Sequence, residues 1–168
     1  HQQVPLPLSI IQLGPTDACN LNCKNCFSAT IRNRASMGED VLLRTIDDLL
    51  LTARLAETKT CLLAWHGPGE PGITVETRRS IIAGLARSSR LGVANRIVTN
   101  GTYDDPAFIE ELARDPYFRL MWVSMKTGMP DAYRVHTGRD LFYAMLKTME
   151  AMANARAKFG REDDLVLK

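Results

Sequence analysis

The stretch IIQLGPTDACNLNCKNC, residues 10–26, joins an apolar segment to a loop with three cysteines. Ile10–Leu13 reads as a β-strand, and Cys19, Cys23 and Cys26 follow it within eight residues of one another. Thiolates at this spacing on a loop can converge on one metal centre. Because ligands of α/β proteins gather at the carboxyl ends of strands, the stretch predicts a metal site at the edge of a sheet.

The alternation of strand and helix continues along the chain and predicts the fold. Further strands are predicted at Cys61–Trp65, Arg96–Thr99, Leu120–Ser124 and Leu165–Leu167. Helices are predicted over Gly38–Ala56 and from the cap Thr74 through Arg90. A third helix is predicted to begin at the cap Asp105, with Pro106 in its first position. A fourth is predicted to begin at the cap Asp140 and to face inward with Phe142, Met145, Met149 and Met152. Apolar strands alternating with helices indicate βαβ units, so the predicted class is α/β with a helix-covered parallel sheet. A closed eight-unit barrel needs about 250 residues, so this chain is expected to form a partial or open (β/α) barrel.

The composition favours an ordinary globular protein. The chain has 168 residues, 45% of them hydrophobic, and a net charge of +2 with both signs scattered. This charge gives no reason to expect nucleic acid or an anionic membrane as a partner, and no apolar run approaches the roughly 20 residues of a membrane span. Clustered cysteines in a chain with ample core favour metal binding in a reducing compartment, and we expect the cytoplasm.

Two kinds of metal site are compatible with the cysteines alone. Three thiolates leave a [4Fe–4S] cluster one protein ligand short of the usual four, and the open iron can then bind a cofactor or substrate. Structural zinc sites use four ligands, so a zinc-binding interaction module with Cys61 as the fourth ligand is an alternative. Cys61 starts an apolar strand, where a small buried thiol is the simpler interpretation.

The ends of the next three predicted strands carry polar groups and glycines that suit a ligand. Glycine lets the backbone approach closely, and a glutamate carboxylate or a backbone carbonyl can accept from an ammonium group. A lysine can pair with a carboxylate. His66 is either a catalytic acid or base, or a hydrogen-bonded histidine at a strand end. The candidate residues at these ends are Gly69, Glu70, Thr99, Asn100, Ser124 and Lys126.

Taken together, these segments resemble the radical S-adenosylmethionine (radical SAM) superfamily, and most closely its SPASM-type members. The Cys-x-x-x-Cys-x-x-Cys loop after the first strand is similar to the superfamily's signature. Gly69-Glu70-Pro71 resembles its Gly-Gly-Glu-Pro segment with Pro68 in place of the first glycine, and Thr99-Asn100-Gly101 resembles its Thr-Asn-Gly. Residues 131–142 resemble the tyrosine-to-glycine connection of SPASM-type members.

The resemblance implies cofactors, chemistry and partners. Cys19, Cys23 and Cys26 would hold a [4Fe–4S] cluster whose fourth iron is chelated by SAM. An electron from the cluster would cleave SAM to methionine and a 5′-deoxyadenosyl radical that abstracts hydrogen from a substrate. An external donor of the flavodoxin or ferredoxin type would supply the electron. Peptide modification is the favoured substrate chemistry, with sugar or antibiotic-precursor chemistry as the alternative, and a catalytically silent relative that only holds the cluster as a further one.

The resemblance also implies contacts to SAM. Lys126 stands where many SPASM-type members have Asp, and it suits the methionyl carboxylate, while Glu70 suits the ammonium group. Asn25 stands where the superfamily often has an aromatic residue near adenine, and Phe27 follows the last cysteine. Members continue past a fifth strand, so we expect residues 1–168 to be the first four to five βα units of a radical SAM core domain.

Overall fold

A computed structural model describes residues 9–55 and 61–168. These residues form five strands and five helices in regular alternation, except that two helices follow the fourth strand. The elements are β1 Ile10–Leu13, α1 Glu39–Leu55, β2 Leu62–Trp65, α2 Val75–Ser89, β3 Ala94–Thr99, α3 Pro106–Arg114, β4 Phe118–Val123, α4 Pro130–Thr137, α5 Phe142–Lys158 and β5 Val166–Leu167. The predicted helix end at Ala56 lies outside the described residues.

The five strands form one parallel sheet in the order β1-β2-β3-β4-β5. Each strand pairs with the next one along the chain, so all carboxyl ends meet at one edge, the carboxyl edge. The α/β class and the parallel sheet predicted from the sequence are confirmed. None of the helices between residues 9–55 or 61–168 is long and apolar enough to cross a membrane.

The core is built from strand side chains packed against the helices. Trp65 of β2 is fully buried, and a Cβ on Gly84 of α2 would lie 2.4 Å from its ring, so only glycine lets the helix pack here. The Trp65 indole nitrogen donates to Asn95 Oδ1 at 3.1 Å, and Ser88 also donates to that oxygen. Because these buried polar atoms are paired, the core carries them without the desolvation cost of an unsatisfied group.

Two of the three predicted helix caps are present. Thr74 accepts from the Thr77 backbone nitrogen, and the Thr77 hydroxyl accepts from the Thr74 backbone nitrogen in return, which makes a capping box. Asp105 accepts from the Phe108 nitrogen, with Pro106 in the first helical position.

The predicted cap at Asp140 is wrong, because the segment before it is itself a helix. Pro130 starts α4 with its fixed φ, and Gly138 ends it in the left-handed conformation at a φ of 67°. Leu141 then precedes α5 without a side-chain cap. Met149 is only half-buried, and Thr148 faces inward instead, where it donates to the Tyr103 carbonyl at 2.8 Å.

Candidate cluster and cofactor site

The three cysteines lie in a long loop that leaves the carboxyl edge after β1. This cysteine loop, residues 16–36, is closed at its base by a bridge between Thr16 and Ser36. The Thr16 hydroxyl donates to the Ala35 carbonyl at 2.8 Å, and the Asp17 nitrogen donates to the same carbonyl at 3.0 Å. The two ends of the loop are thus held together, although its centre has no regular secondary structure.

Gly69 packs directly on this loop. A Cβ at Gly69 would lie 2.4 Å from the Ala18 carbonyl oxygen and 2.7 Å from the Asp17 Cα. The sequence interpretation assigned this glycine to close approach of a ligand. In the structure the backbone that approaches it is that of the cysteine loop, so Gly69 seats the loop against the end of β2.

The three cysteine side chains are half-buried and form no disulfide within the described residues, and hydrogen-bonding groups lie beside Cys19 and Cys26. Cys19 Sγ accepts from the Leu21 backbone nitrogen at 3.5 Å, and Cys26 Sγ lies 3.2 Å from the Ser28 hydroxyl. Burial raises the pKa of Cys26, but the hydrogen bonds with Ser28 and the charges of Arg32 and Lys126 together outweigh it, and the net pKa is below the usual range. The loop therefore favours thiolate character at the last cysteine.

The cysteines are mutual neighbours. Burial raises the pKa of Cys23, with further increases from the charges of Cys19 and Cys26, while Lys126 opposes the rise. Within residues 9–55 and 61–168, however, no three His, Cys, Asp or Glu side chains are close enough to hold a single metal ion. A four-iron cluster is several atoms across, so its ligands stand further apart than the ligands of one ion.

Cys61 lies at the other end of the sheet. Its neighbour Leu62 pairs with Ile10 at the start of β1, whereas the cysteine loop follows Leu13 at the end of that strand. Four strand residues separate the two levels, which is about 13 Å. Cys61 is half-buried rather than fully buried. The alternative of a zinc site with Cys61 as fourth ligand is therefore contradicted by the topology.

Glu70 joins three strand ends. It is 3% exposed, and its carboxylate accepts from the Thr99 hydroxyl at 2.5 Å and from the Asn100 nitrogen at 2.6 Å, with a longer bond from the Gly72 nitrogen at 3.4 Å. Its own nitrogen donates to the Ala18 carbonyl at 2.7 Å. Burial raises the pKa of Glu70 to about 7, and the bonds from Asn100, Thr99 and Gly72 oppose that rise. Since both carboxylate oxygens already have protein donors, this side chain offers little free capacity for an ammonium group.

Asn100 connects this junction of strand ends to the cysteine loop. Its amide nitrogen donates to Asn20 Oδ1 at 2.9 Å and lies 3.8 Å from Cys19 Sγ. Its amide oxygen accepts from the nitrogen and the hydroxyl of Thr102 at 2.9 and 2.7 Å. The Asn20 amide in turn donates to Thr102 at 2.8 Å. Sequence reasoning missed Asn20 and Thr102, although Asn20 stands beside a predicted metal ligand.

The end of β4 presents a cation. The Lys126 ammonium donates to the Ser124 hydroxyl at 2.8 Å, and the Ser124 nitrogen donates to the Thr99 carbonyl at 2.7 Å. Lys126 is exposed, yet its charge lowers the pKa of Cys23, so the two groups are within electrostatic reach. Lys126 and Ser124 thus face the same side, as predicted, beyond the last residue of the strand.

Three other predicted residues have few contacts. Asn25 is exposed, and Phe27 is 81% exposed. His66 is half-buried, and its backbone nitrogen donates to the Leu13 carbonyl at 2.9 Å. Burial and the charge of Arg96 lower the pKa of His66, which keeps the imidazole neutral near neutral pH. None of these three side chains belongs to the hydrogen-bond network around Glu70 and Asn100.

Tyr133 of α4 is a site residue that the sequence interpretation did not single out. It is fully buried against Phe142, and its hydroxyl has no hydrogen-bond partner among the described residues. Burial raises the pKa of Tyr133 to about 12, with further increases from the charges of Cys23 and Cys19. Among the described residues, this buried phenol near two cysteines is therefore an unpaired donor beside the cysteine loop. Its position in the tyrosine-to-glycine segment was the available signal.

Comparisons with known proteins identify the fold. No protein-family model and no curated protein matches the chain. Among solved structures, native anSMEcpe with bound AdoMet (S-adenosylmethionine) matches with a TM-score of 0.70 and 23% identity, over 89% of this chain and 42% of that chain. SuiB of Streptococcus suis bound to its precursor peptide SuiA matches with a TM-score of 0.67 and 18% identity, over 90% of this chain and 31% of that chain. The chain thus spans less than half the length of these proteins, and at this identity the likeness concerns the fold. The chain therefore has the fold of part of anSMEcpe and of part of SuiB.

Proposed function

We propose that this chain is the cluster- and cofactor-binding part of a radical SAM enzyme. Cys19, Cys23 and Cys26 hold one [4Fe–4S] cluster, and SAM lies between the cysteine loop and the ends of β2, β3 and β4. The observation that carries the proposal is the contact of the Asn100 amide with Cys19 Sγ. It joins the Thr-Asn-Gly segment to the cysteine motif on a fold shared with radical SAM enzymes.

The residues present fit such a cluster. Sulfurs of iron–sulfur sites accept hydrogen bonds that tune the reduction potential, and Cys19 already accepts from Leu21 and Asn100. The buried Tyr133 hydroxyl lacks a partner within residues 9–55 and 61–168, and a cluster or its bound cofactor would supply an acceptor. A buried unpaired hydroxyl costs about 1–3 kcal/mol, so its retention beside the cysteines favours a ligand there.

When bound, the cluster supplies the electron that cleaves SAM to methionine and a 5′-deoxyadenosyl radical, which takes hydrogen from the substrate. The protein residues bind and orient. Lys126 pairs with the methionyl carboxylate, and Ser124 positions the Lys126 ammonium. Thr99 and Asn100 hold the end of β3 against the cysteine loop. Asn25 and Phe27 are assigned to the adenine end, whereas Gly69 and Glu70 hold the cysteine loop against the end of β2 and are not assigned to the methionyl ammonium.

A peptide is the favoured substrate. SuiB matches this fold in a structure with its precursor peptide, and anSMEcpe matches in structures with bound Cp18Cys and Kp18Cys peptides. Sugar or antibiotic-precursor chemistry remains the alternative. The electron comes from a donor of the flavodoxin or ferredoxin type, in keeping with a cytoplasmic enzyme.

The test is anaerobic reconstitution of the protein with iron and sulfide, followed by assay with SAM and dithionite. A brown protein whose visible absorbance bleaches on reduction, and which forms 5′-deoxyadenosine, supports the proposal. A colourless protein that retains zinc, or a brown one that leaves SAM intact, would overturn it. The second result would identify a silent relative that only holds the cluster.

A further inference from the structure

A cleft lined by arginines lies beside the cysteine loop and borders Asn20, whose amide oxygen accepts from Asn100. Its volume is about 450 Å³, within the range of ligand sites. One wall is the cysteine loop, and the other is the turn that follows α4. The residues that define this arginine cleft are Asp17, Cys19, Asn22, Arg32, Arg34 and Arg139.

The two walls are fixed to each other. The Asn22 nitrogen donates to the Thr137 carbonyl at 2.8 Å, and the Lys24 nitrogen donates to the His136 carbonyl at 3.0 Å. Gly138 adopts a φ of 67°, and a Cβ there would lie 3.4 Å from the Asn22 Cβ. The backbone of the two walls is therefore held in place by main-chain bonds between the loop and α4.

The guanidinium groups in the cleft lack acidic partners. Neither Arg32, Arg34 nor Arg139 forms a salt bridge or a side-chain hydrogen bond with any residue in the described ranges. The acidic lining residue, Asp17, uses Oδ2 to accept from the Asn33 nitrogen at 2.9 Å, and its buried Oδ1 has no partner in the part of the chain that the structure describes. Three positive charges against one leave the cleft with a net positive charge.

Arg34 is held in an unusual conformation. Its φ of 63° is the left-handed conformation that costs a non-glycine residue about 1–2 kcal/mol. Bonds on both sides impose it: Asn33 donates to Asp17, and Ala35 donates to Asn33 Oδ1 at 2.7 Å. Such conformations persist where the surroundings over-determine them, and they cluster at functional sites.

We infer that the arginine cleft binds the carboxylates of an acidic segment of the peptide substrate. The guanidinium group forms paired hydrogen bonds to carboxylates, and three such groups around one cleft suit more than one acidic side chain. The inference rests on the peptide substrate of the proposed function. Cys19 borders both the cleft and the cluster site, so a segment anchored here lies beside the site of hydrogen abstraction.

The probe is a short fluorescein-labelled peptide of alternating Glu and Gly, compared with its Gln-Gly counterpart on cluster-loaded protein. We expect the Glu peptide to bind, the Gln peptide to bind far less, and binding to weaken with salt. Arg34→Gln and Arg139→Gln should each weaken Glu-peptide binding about tenfold or more, the loss expected for one hydrogen bond to a charged group. Arg32 is not substituted, because its charge lowers the pKa of Cys23 and Cys26.

Matched variants separate the cleft from general charge effects. Arg44→Gln removes the same charge from α1, where Arg44 is exposed and paired with Asp40, and it should leave peptide binding unchanged. Arg34→Gly keeps the left-handed backbone without strain, so it should lose binding without lowering the melting temperature. Equal effects of Arg34→Gln and Arg44→Gln would overturn the inference. The inference would also be overturned if an acidic redox protein bound through Arg34 and Arg139 while the Glu peptide did not bind.

The outcome is separable from that of the proposed function, because binding needs no SAM cleavage. Arginine-dependent peptide binding by a protein that does not cleave SAM would leave the cleft established and refute the radical chemistry. SAM cleavage without arginine-dependent binding would refute only the cleft.

Discussion

Two regions of the carboxyl edge differ in how their polar groups are used. At the ends of β2 and β3, the oxygens and amides of Glu70, Thr99 and Asn100 are buried and bonded to one another. In the cysteine loop and beside it, the polar groups of Arg34 and Lys126 are exposed and face outward from the fold. Under the proposed function this difference corresponds to a division of roles, in which the junction would set positions and the loop and its surroundings would bind ligands.

The largest expected effect separates cysteines at the two ends of the sheet. Cys19→Ala, Cys23→Ala or Cys26→Ala should each abolish cluster retention, measured as iron per chain after reconstitution, because each would remove one of the three proposed protein ligands. Cys61→Ala is the matched control and should retain its iron, with a modest loss of packing, since Cys61 lies about 13 Å below the carboxyl edge. Iron loss in the Cys61 variant would show that this cysteine supports the cluster.

The junction should have its own pH signature. The native pKa of Glu70 is about 7 against an ordinary 4.5, so the native state holds the proton more tightly than the unfolded state. Its contribution is fully present below about pH 4.5 and is lost as pH rises through about 7, an effect of about 3 kcal/mol. Glu70→Gln should therefore gain stability relative to the parent protein across this window.

The measurement is the free energy of unfolding in urea at several pH values, with cluster-free protein. His66 titrates in the same window with the opposite sign, because its pKa is lowered, but its contribution is common to both proteins and cancels in their difference. A difference that does not change with pH would show that the Glu70 carboxylate is not the buried acid of the junction.

Substitution of Tyr133 tests whether its buried hydroxyl contacts a ligand beside the cysteine loop. Removing its unpaired hydroxyl should stabilise the cluster-free chain, by about 1–3 kcal/mol at most, because the phenyl ring keeps its packing against Phe142. In the cluster-loaded protein Tyr133→Phe should instead lower stability or shift the reduction potential, because a donor to the cluster or its cofactor is lost. The same stabilisation in both forms would place the hydroxyl away from any ligand.

The smallest expected effect concerns Lys126. If its ammonium meets the methionyl carboxylate, Lys126→Met should weaken SAM binding to cluster-loaded protein by about 1.5 kcal/mol. This lower end of the range for hydrogen bonds to charged groups applies because Lys126 is exposed. Lys147→Met on α5 removes the same charge far along the chain and serves as control. Unchanged SAM affinity in the Lys126 variant would show that Lys126 is a surface residue that does not contact SAM.

Much of the fold could be predicted because its signals are local. The apolar runs, the Thr74 cap and the Asp105-Pro106 helix start depend on residues within a few positions of each other, and all three are confirmed. The split between α4 and α5 was missed because its local signals are ambiguous. Pro130 and Gly138 are local signals, but without the tertiary contacts the segment between them is equally compatible with a connection.

The sequence by itself determined which residues would meet, because parallel strands bring the segments after their carboxyl ends to one edge. The cysteine motif, Gly69-Glu70, Thr99-Asn100 and Ser124 with Lys126 all lie there. Only the tertiary structure decided what each residue does at that edge. Whether a carboxylate such as Glu70 meets a ligand or its own protein depends on burial and on which donors point at it, and those donors come from residues about 30 positions along the chain.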